Sequence, residues 1–366
     1  QGDVYIADIG AEKVNSVDIS SLPMSKQSSR NSTLSSRSNI TPYNLPPLDD
    51  IIRSMRTPEA PAKLENLYHF AVAGFAKCGT TSLMNWLHMH PELCIPDAEF
   101  HWLRAKKPRA QTRLLYRQAT SRSCNSSKLN GYKSPGEVRY GNCVDFYRTR
   151  VPTMKLILTV RHPVLFFESF YNYRFVNKDL WAIAGEPNAL VGRADKGSHK
   201  VWSYSGAFHG FLARLGKTLL TSEERSLVEG FLPPGSLKGV KRAPNPVFLM
   251  EMSQMQDPNT TRVAKLLQDL QAFLGVTQDL PHRIPHTRPG RHKTKKGPFD
   301  ICAPQYAQIK KDTMEVARNA SLWIRQHFLS SPDVQVSSRE NFENVLETWM
   351  YDPCLARWSN ATRTSN

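Results

Sequence analysis

At 366 residues the chain is long enough for one large domain with insertions, or two small ones, and it buries a sizeable core. Forty-eight Lys and Arg against 32 Asp and Glu leave a formal charge of +16, which points to an anionic ligand or partner. Nucleic acid is the first candidate for such a charge. With no zinc-finger spacing, no RNA-binding signature and no basic stripe interleaved with aromatic residues, no nucleic-acid partner is expected. No His/Cys/Asp cluster has metal-ligand spacing either, so no metal is expected.

Residues 1–66 read as a flexible stem. After Val4–Ile9 they carry little hydrophobic pattern, residues 21–41 are polar and serine-rich, and Pro42, Pro46, Pro47, Pro58 and Pro61 interrupt the approach to the first strand. The folded domain is expected to span 67–366. No run reaches the roughly 18–20 apolar residues that cross a bilayer and residue 1 is not Met, so a signal or membrane anchor is expected outside the present sequence. Six Asn-x-Ser/Thr sequons, at Asn31, Asn39, Asn125, Asn259, Asn319 and Asn360, join an even cysteine count of 6 in favouring the secretory pathway. Cys78, in a loop, and Cys94, in an apolar stretch, suit reduced thiols. Cys124–Cys143 and Cys302–Cys354 are the expected disulfides, a connectivity that spacing alone does not fix.

The most informative stretch is Phe70–Leu83. Apolar residues run up to Gly74, a glycine-bearing turn follows, and Leu83, Trp86, Leu87 and His90 share one side of a helical pattern. A strand, tight loop and helix start of this kind direct backbone N–H groups and the positive end of the helix dipole into one small space. That space suits a phosphate or sulfate group. The spacing Gly74-x4-Gly79 is that of a nucleoside-triphosphate loop, but Thr80 stands where that motif requires lysine, and the lysine lies inside the loop at Lys77.

Pro91–Pro96 reads as a short second strand, followed by the acid-aromatic cluster Asp97–Leu103 where a strand end would meet a cleft. Residues 104–128 are strongly basic and helical in part. The nearly unbroken apolar run Met154–Val160 suits a parallel strand covered on both faces, and it ends at Arg161-His162-Pro163, where Pro163 opens a helix over Leu165–Tyr173. Between 177 and 245 only short helical patches stand out, Leu212–Leu220 and Ser222–Phe231. Val247–Met250 is a strand, and Thr260–Leu274 is an amphipathic helix closed by Gly275. A basic, proline-broken segment covers His282–Gly297, and helical spacing resumes over Tyr306–Phe328 and Phe342–Trp349. Strands alternating with helices predict an α/β fold, a central, mostly parallel sheet flanked by helices.

With Lys77 in the loop and Thr80, Thr81 and Ser82 supplying hydroxyls, the Lys-x-Gly-Thr-Thr-Ser string resembles the 5′-phosphosulfate loop of sulfotransferases that use 3′-phosphoadenosine 5′-phosphosulfate. The segment from Arg161 to Ser169, eight residues on, resembles the family's 3′-phosphate motif, and Lys295-Lys296-Gly297 its donor-closing loop. Glu99-Phe100-His101-Trp102 resembles the catalytic segment of the Golgi heparan sulfate glucosaminyl 3-O- and N-sulfotransferases, and Lys133-Ser134-Pro135 another element of those enzymes. The resemblance implies the sulfotransferase fold, with Lys77, Cys78, Gly79, Thr80, Thr81, Ser82, Arg161, Ser169, Lys296 and Gly297 holding the donor, released as 3′-phosphoadenosine 5′-phosphate. Lys77 would stabilise the leaving group, Lys133 would face the reacting centre, and Glu99 would be the general base, with His101 as the competing assignment. An environment that raises the proton affinity of Glu99 is expected for that role. The chain departs from the family in having Cys302 after the donor-closing loop, where a cysteine pair usually precedes it, and Pro298 in place of an arginine.

The activity so implied is sulfuryl transfer in the Golgi lumen to a hydroxyl or amine of a carbohydrate, an already anionic polysaccharide among the candidates. A sterol-like alcohol or a protein tyrosine is the rival acceptor. A nucleotide kinase is disfavoured by Thr80 and by the lack of a metal-holding aspartate after a strand; a non-catalytic polyanion-binding protein is the remaining alternative.

Overall fold

The computed structural model describes residues 45–56, 62–96, 98–124, 128–173, 211–215, 241–282 and 299–355. Among them, helices α1 (Leu48–Ser54) and α2 (Ala62–Glu65) precede β1 (Phe70–Val72), α3 (Thr80–His88), β2 (Leu93–Cys94), α4 (Pro108–Ala119) and β3 (Leu129–Lys133). Then follow α5 (Gly141–Arg150), β4 (Lys155–Val160), α6 (Pro163–Tyr171), β5 (Val247–Glu251), α7 (Thr260–Leu274), α8 (Ala307–Trp323), β6 (Val334–Gln335) and α9 (Arg339–Glu347). The strands form one 6-stranded sheet in the order β2-β3-β1-β4-β5-β6, every adjacent pair parallel. The expected α/β architecture is therefore the observed one.

Because side chains alternate across a strand, the sheet sorts its apolar residues onto two faces. Phe70, Val72, Ile157, Phe248 and Met250 pack with Leu83 and Trp86 of α3 and with Leu266, Leu270 and Phe273 of α7. Ala71, Tyr132, Leu156, Leu158 and Leu249 pack on the other side with residues of α4, α5, α6, α8 and α9. Burial on both faces explains why β4 and β5 are unbroken apolar runs. The same alternation decides the surroundings of β3: Tyr132 is level with Ala71 and Lys133 with Val72, so these two neighbours face opposite layers.

Several boundaries differ from expectation. The folded part begins before Leu67, since Ile51 of α1 and Leu64 of α2 are fully buried in the core; both helices are too short for their periodicity to stand out. Strand β3 carries Asn130 and Gly131, poor strand formers, and is held by pairing with β1 and by the Asn130 side-chain amide, which donates to the Leu67 carbonyl at 2.9 Å. The Cys302–Cys354 disulfide forms as expected, but Cys124 pairs with Cys94 (Cα–Cα 5.5 Å) instead of Cys143. Cys143 lies fully buried on the inner face of α5 with a free thiol. Of the patch Leu212–Leu220 only its start is described, within a 3₁₀ turn over Phe211–Arg214; Ser222–Phe231 lies outside the described residues.

Gly74 follows β1 where it runs beside the end of β4. A Cβ there would stand 2.5 Å from the Thr159 backbone nitrogen and 2.9 Å from its hydroxyl. Gly74→Ala must push the two strands apart, and overpacking of this kind costs about 1–3 kcal/mol. Urea unfolding is expected to show that loss, whereas an unchanged midpoint would mean that the strand ends have room to part.

Candidate active site

The carboxyl ends of β1, β3 and β4 lie side by side, and the chain leaves β1 toward one edge of the sheet and β4 toward the other. In parallel sheets a crevice opens at such a reversal of direction. Phe75–Gly79 forms the turn after β1, with the Cys78 N–H bonded to the Phe75 carbonyl at 3.3 Å and Lys77 in the left-handed region (φ 68°). Gly79, at φ 80°, is the N-cap of α3 and contributes no side-chain cap, and the first turn of the helix holds no acidic residue. Helical geometry points the amides of Thr80, Thr81 and Ser82 out of that turn, which makes it an anion-receiving end.

Arg161 closes the opposite wall. Its guanidinium donates to the Lys77 carbonyl at 3.2 Å, so the residue after β4 is bonded directly to the loop after β1. The Lys77 ammonium lies 4.3 Å from the centre of the Tyr173 ring. Ser169 of α6 precedes Tyr173 by one helical turn and so lies on the same face. The sequence offers no cue for Tyr173 beyond the aromatic richness of its helix. Cys78 is fully buried between these walls; burial, the largest effect, raises its thiol above the ordinary range, so it is a packing residue and not a thiolate. Behind Arg161, Glu251 at the end of β5 is buried, which raises its proton affinity, while its carboxylate accepts from the Ser253 N–H and caps the 3₁₀ turn Met252–Gln256. Lys296 and Gly297 lie outside the described residues.

The second half of the site is assembled around β3. Lys133, with its side chain 1% exposed, donates to the Thr81 hydroxyl at 2.7 Å and pairs with Oε1 of Glu99. The other Glu99 oxygen, Oε2, is 3.2 Å from Nε2 of His101, and the side chains of Glu99 and His101 are 41% and 47% exposed. The segment is pinned to the sheet edge by the Phe100 N–H, which donates to the Lys133 carbonyl at 2.9 Å. Thus Glu99, His101, Lys133 and Thr81 form one connected group in which Lys133 is buried, Thr81 is partly exposed and Glu99 and His101 face solvent. The expected rise in the proton affinity of Glu99 is not what this group produces. Burial pushes the carboxyl up, but the hydrogen bonds and charges of His101 and Lys133 outweigh it and bring its pKa down to about 2.

No family model matches this chain, and no protein of curated description matches it. Among solved structures, it is similar to a sulfotransferase from Alicyclobacillus acidocaldarius, with 15% sequence identity, coverage of 70% of this chain and 95% of that chain, and a TM-score of 0.41.

A buried carboxylate that motif reading passes over stands just behind the site. Glu137 is wholly enclosed; its Oε2 accepts from the Tyr132 hydroxyl at 3.0 Å and from that of Tyr147, and the Ser134 hydroxyl lies beside it. Ser134 is also 3.5 Å from Nδ1 of His101. Burial dominates and raises the Glu137 pKa from 4.5 to about 7, against the lowering effect of these hydroxyls and of Arg104. Between those two values the folded protein keeps a proton that the unfolded chain releases, so stability falls as pH rises through the window, by roughly 3 kcal/mol. Glu137→Gln removes this contribution. Chemical unfolding of both proteins from pH 4.5 to 8 is expected to show the variant gaining on the parent as pH rises, and a constant difference would mean that Glu137 titrates normally.

Proposed function

We propose that this chain is a sulfotransferase that moves a sulfuryl group from 3′-phosphoadenosine 5′-phosphosulfate to a hydroxyl or amine of a carbohydrate. The observation that carries this reading is the bond from Arg161 to the Lys77 carbonyl, which joins two cationic cradles into one crevice. A donor with phosphate at both ends of its ribose needs two such cradles side by side. The residues present fit it: an uncapped helix end without acids, a loop lysine, and an arginine whose planar fork suits phosphate. When bound, the donor supplies the sulfuryl group and a phosphate leaving group.

Transfer of this kind is in-line displacement, in which positioning and charge stabilisation do most of the work. Glu99 takes the proton of the acceptor hydroxyl as the acceptor oxygen bonds to sulfur. Lys77 meets the electron pair left on the departing phosphate oxygen, and His101 holds the Glu99 carboxylate in place from its second oxygen.

For the acceptor, the electrostatics favour a polyanion. Between Phe100 and Gly136 there is no acidic residue, and Arg109, Arg113 and Arg117 recur at four-residue spacing along α4, all exposed. In a parallel sheet the connecting helix runs antiparallel to its strands, so this row leads away from the edge that holds Glu99. Exposed guanidinium groups in a row suit the carboxylate or sulfate groups of an extended polysaccharide. The sequons and the two disulfides are in keeping with a lumenal enzyme.

Titration with 3′-phosphoadenosine 5′-phosphate, and separately with ATP plus magnesium, tests the donor; binding of ATP alone would overturn the reading. Arg161→Ala is expected to weaken nucleotide binding about 10- to 100-fold, the range for a charged hydrogen bond. Glu99→Gln is expected to bind nucleotide normally and to lose about 10²–10⁴-fold in transfer; full activity would move the base to His101. Labelled sulfate transfer onto a panel of neutral glycans, anionic glycans, sterols and tyrosine peptides identifies the acceptor. Replacing Arg109, Arg113 and Arg117 by Gln is expected to raise KM for anionic glycans alone.

A further inference from the structure

Glu99 is proposed above as a base, yet it is paired as if to prevent it from acting as one. Its Oε1 faces the Lys133 ammonium and its Oε2 faces His101; these are the charged or titratable groups found against it, one from β3 and one from its own segment. Lys133 in turn reaches, with the same nitrogen, the hydroxyl of Thr81 in the first turn of α3. That turn is the anion-receiving end described above, and Lys133 is almost completely shut off from water. One buried charge therefore stands between the place where the donor would lie and the carboxylate that would deprotonate the acceptor.

We propose that Lys133 couples the two halves of the site, so that an anion at the first turn of α3 draws on the ammonium that otherwise neutralises Glu99 and turns the carboxylate into a base only when the donor is in place. Two effects act in the same direction. Sharing the ammonium with a second anion weakens its hold on Oε1, and the negative charge of the anion itself, close to Glu99, favours the protonated carboxyl. In water such an effect would be screened; around an enclosed lysine it is transmitted. The starting point is a carboxyl held at about 2, with room to rise before it meets neutral pH. The coupling orders the reaction: an acceptor arriving first finds a spent carboxylate, and one arriving after the donor finds a base.

This inference rests on the donor reading given above, and proton linkage tests it without turnover. Binding of 3′-phosphoadenosine 5′-phosphate to the full chain is followed calorimetrically between pH 3 and 7 in buffers of different ionisation enthalpy, for the parent, Glu99→Gln and Lys133→Met. The parent is expected to take up as much as one proton more than Glu99→Gln on binding, at some pH within that range, because the Glu99 carboxyl, which the variant lacks, gains proton affinity. In Lys133→Met the excess is expected to shrink by more than half, since there Glu99 has already lost its counter-charge. Should Lys133→Met fail to fold, Thr81→Val, which removes only the lysine's attachment to α3, is expected to reduce the excess in the same sense. Equal proton uptake by the parent and Glu99→Gln at every pH, with nucleotide bound by both, overturns the coupling and leaves the donor assignment standing. Absence of nucleotide binding by the parent removes the donor assignment and the coupling together.

Discussion

A lysine without water has to find oxygen. Lys133 ends a strand between two layers, and leaving its ammonium unpaired there would cost several kcal/mol. It is satisfied by the Thr81 hydroxyl from α3 and by Glu99 from the segment before α4, and this requirement fixes three separate stretches of chain against one another. The loop after β1 cannot shift without moving Thr81, and Glu99 cannot swing away without stranding a buried charge. The rest of the site is arranged on that anchor: Arg161 reaches the Lys77 carbonyl from the far side of the same loop, and His101 steadies the remaining oxygen of Glu99.

The sheet makes this arrangement available by alternation. Tyr132 and Lys133 are neighbours in sequence, yet one enters the layer that holds Glu137 and Tyr147 and the other the layer that holds α3. The two carboxylates are thus tuned oppositely by surroundings only a strand apart. Glu137, enclosed and met by neutral hydroxyls, keeps its proton more tightly; Glu99, half open and met by a cation, gives it up. Ser134 lies between them, beside Glu137 and near His101, so the two environments meet at a hydroxyl that can turn either way.

Much of the fold was legible in the residues. Phe70–Leu83 carries its strand, loop and helix openly; β4 and β5 are apolar because both their faces are covered; and Asn259 and Gly275 bracket α7 as cap residues do. What escaped reading depends on partners distant in sequence. Strand β3 has the composition of a loop and is a strand because β1 and β2 flank it. Cys94 lies in an apolar stretch that suited a free thiol, and only the path of the chain after α4 brings Cys124 to it. In the site, motif residues were found where spacing carries information: Lys77, Thr81, Glu99, His101, Lys133 and Arg161 do gather at one edge. The sign of the Glu99 shift was not legible, because His101 and Lys133 set it together, and Lys133 lies 34 residues further on. Tyr173 and Glu137 belong to no pattern and are found only by their contacts.

The order of the strands also bears on how the molecule is made. Every described residue of the crevice comes from chain that precedes residue 174, whereas β5, the strand that covers the open flank of β4, begins only at Val247. On a ribosome, Lys155–Val160 therefore waits with one row of peptide groups unpaired while the long connection is synthesised. A stiff, apolar margin of that kind is the part of a nascent chain most prone to stick to another copy. The pairing of Leu156–Val160 with Val247–Glu251 is what finally covers that margin.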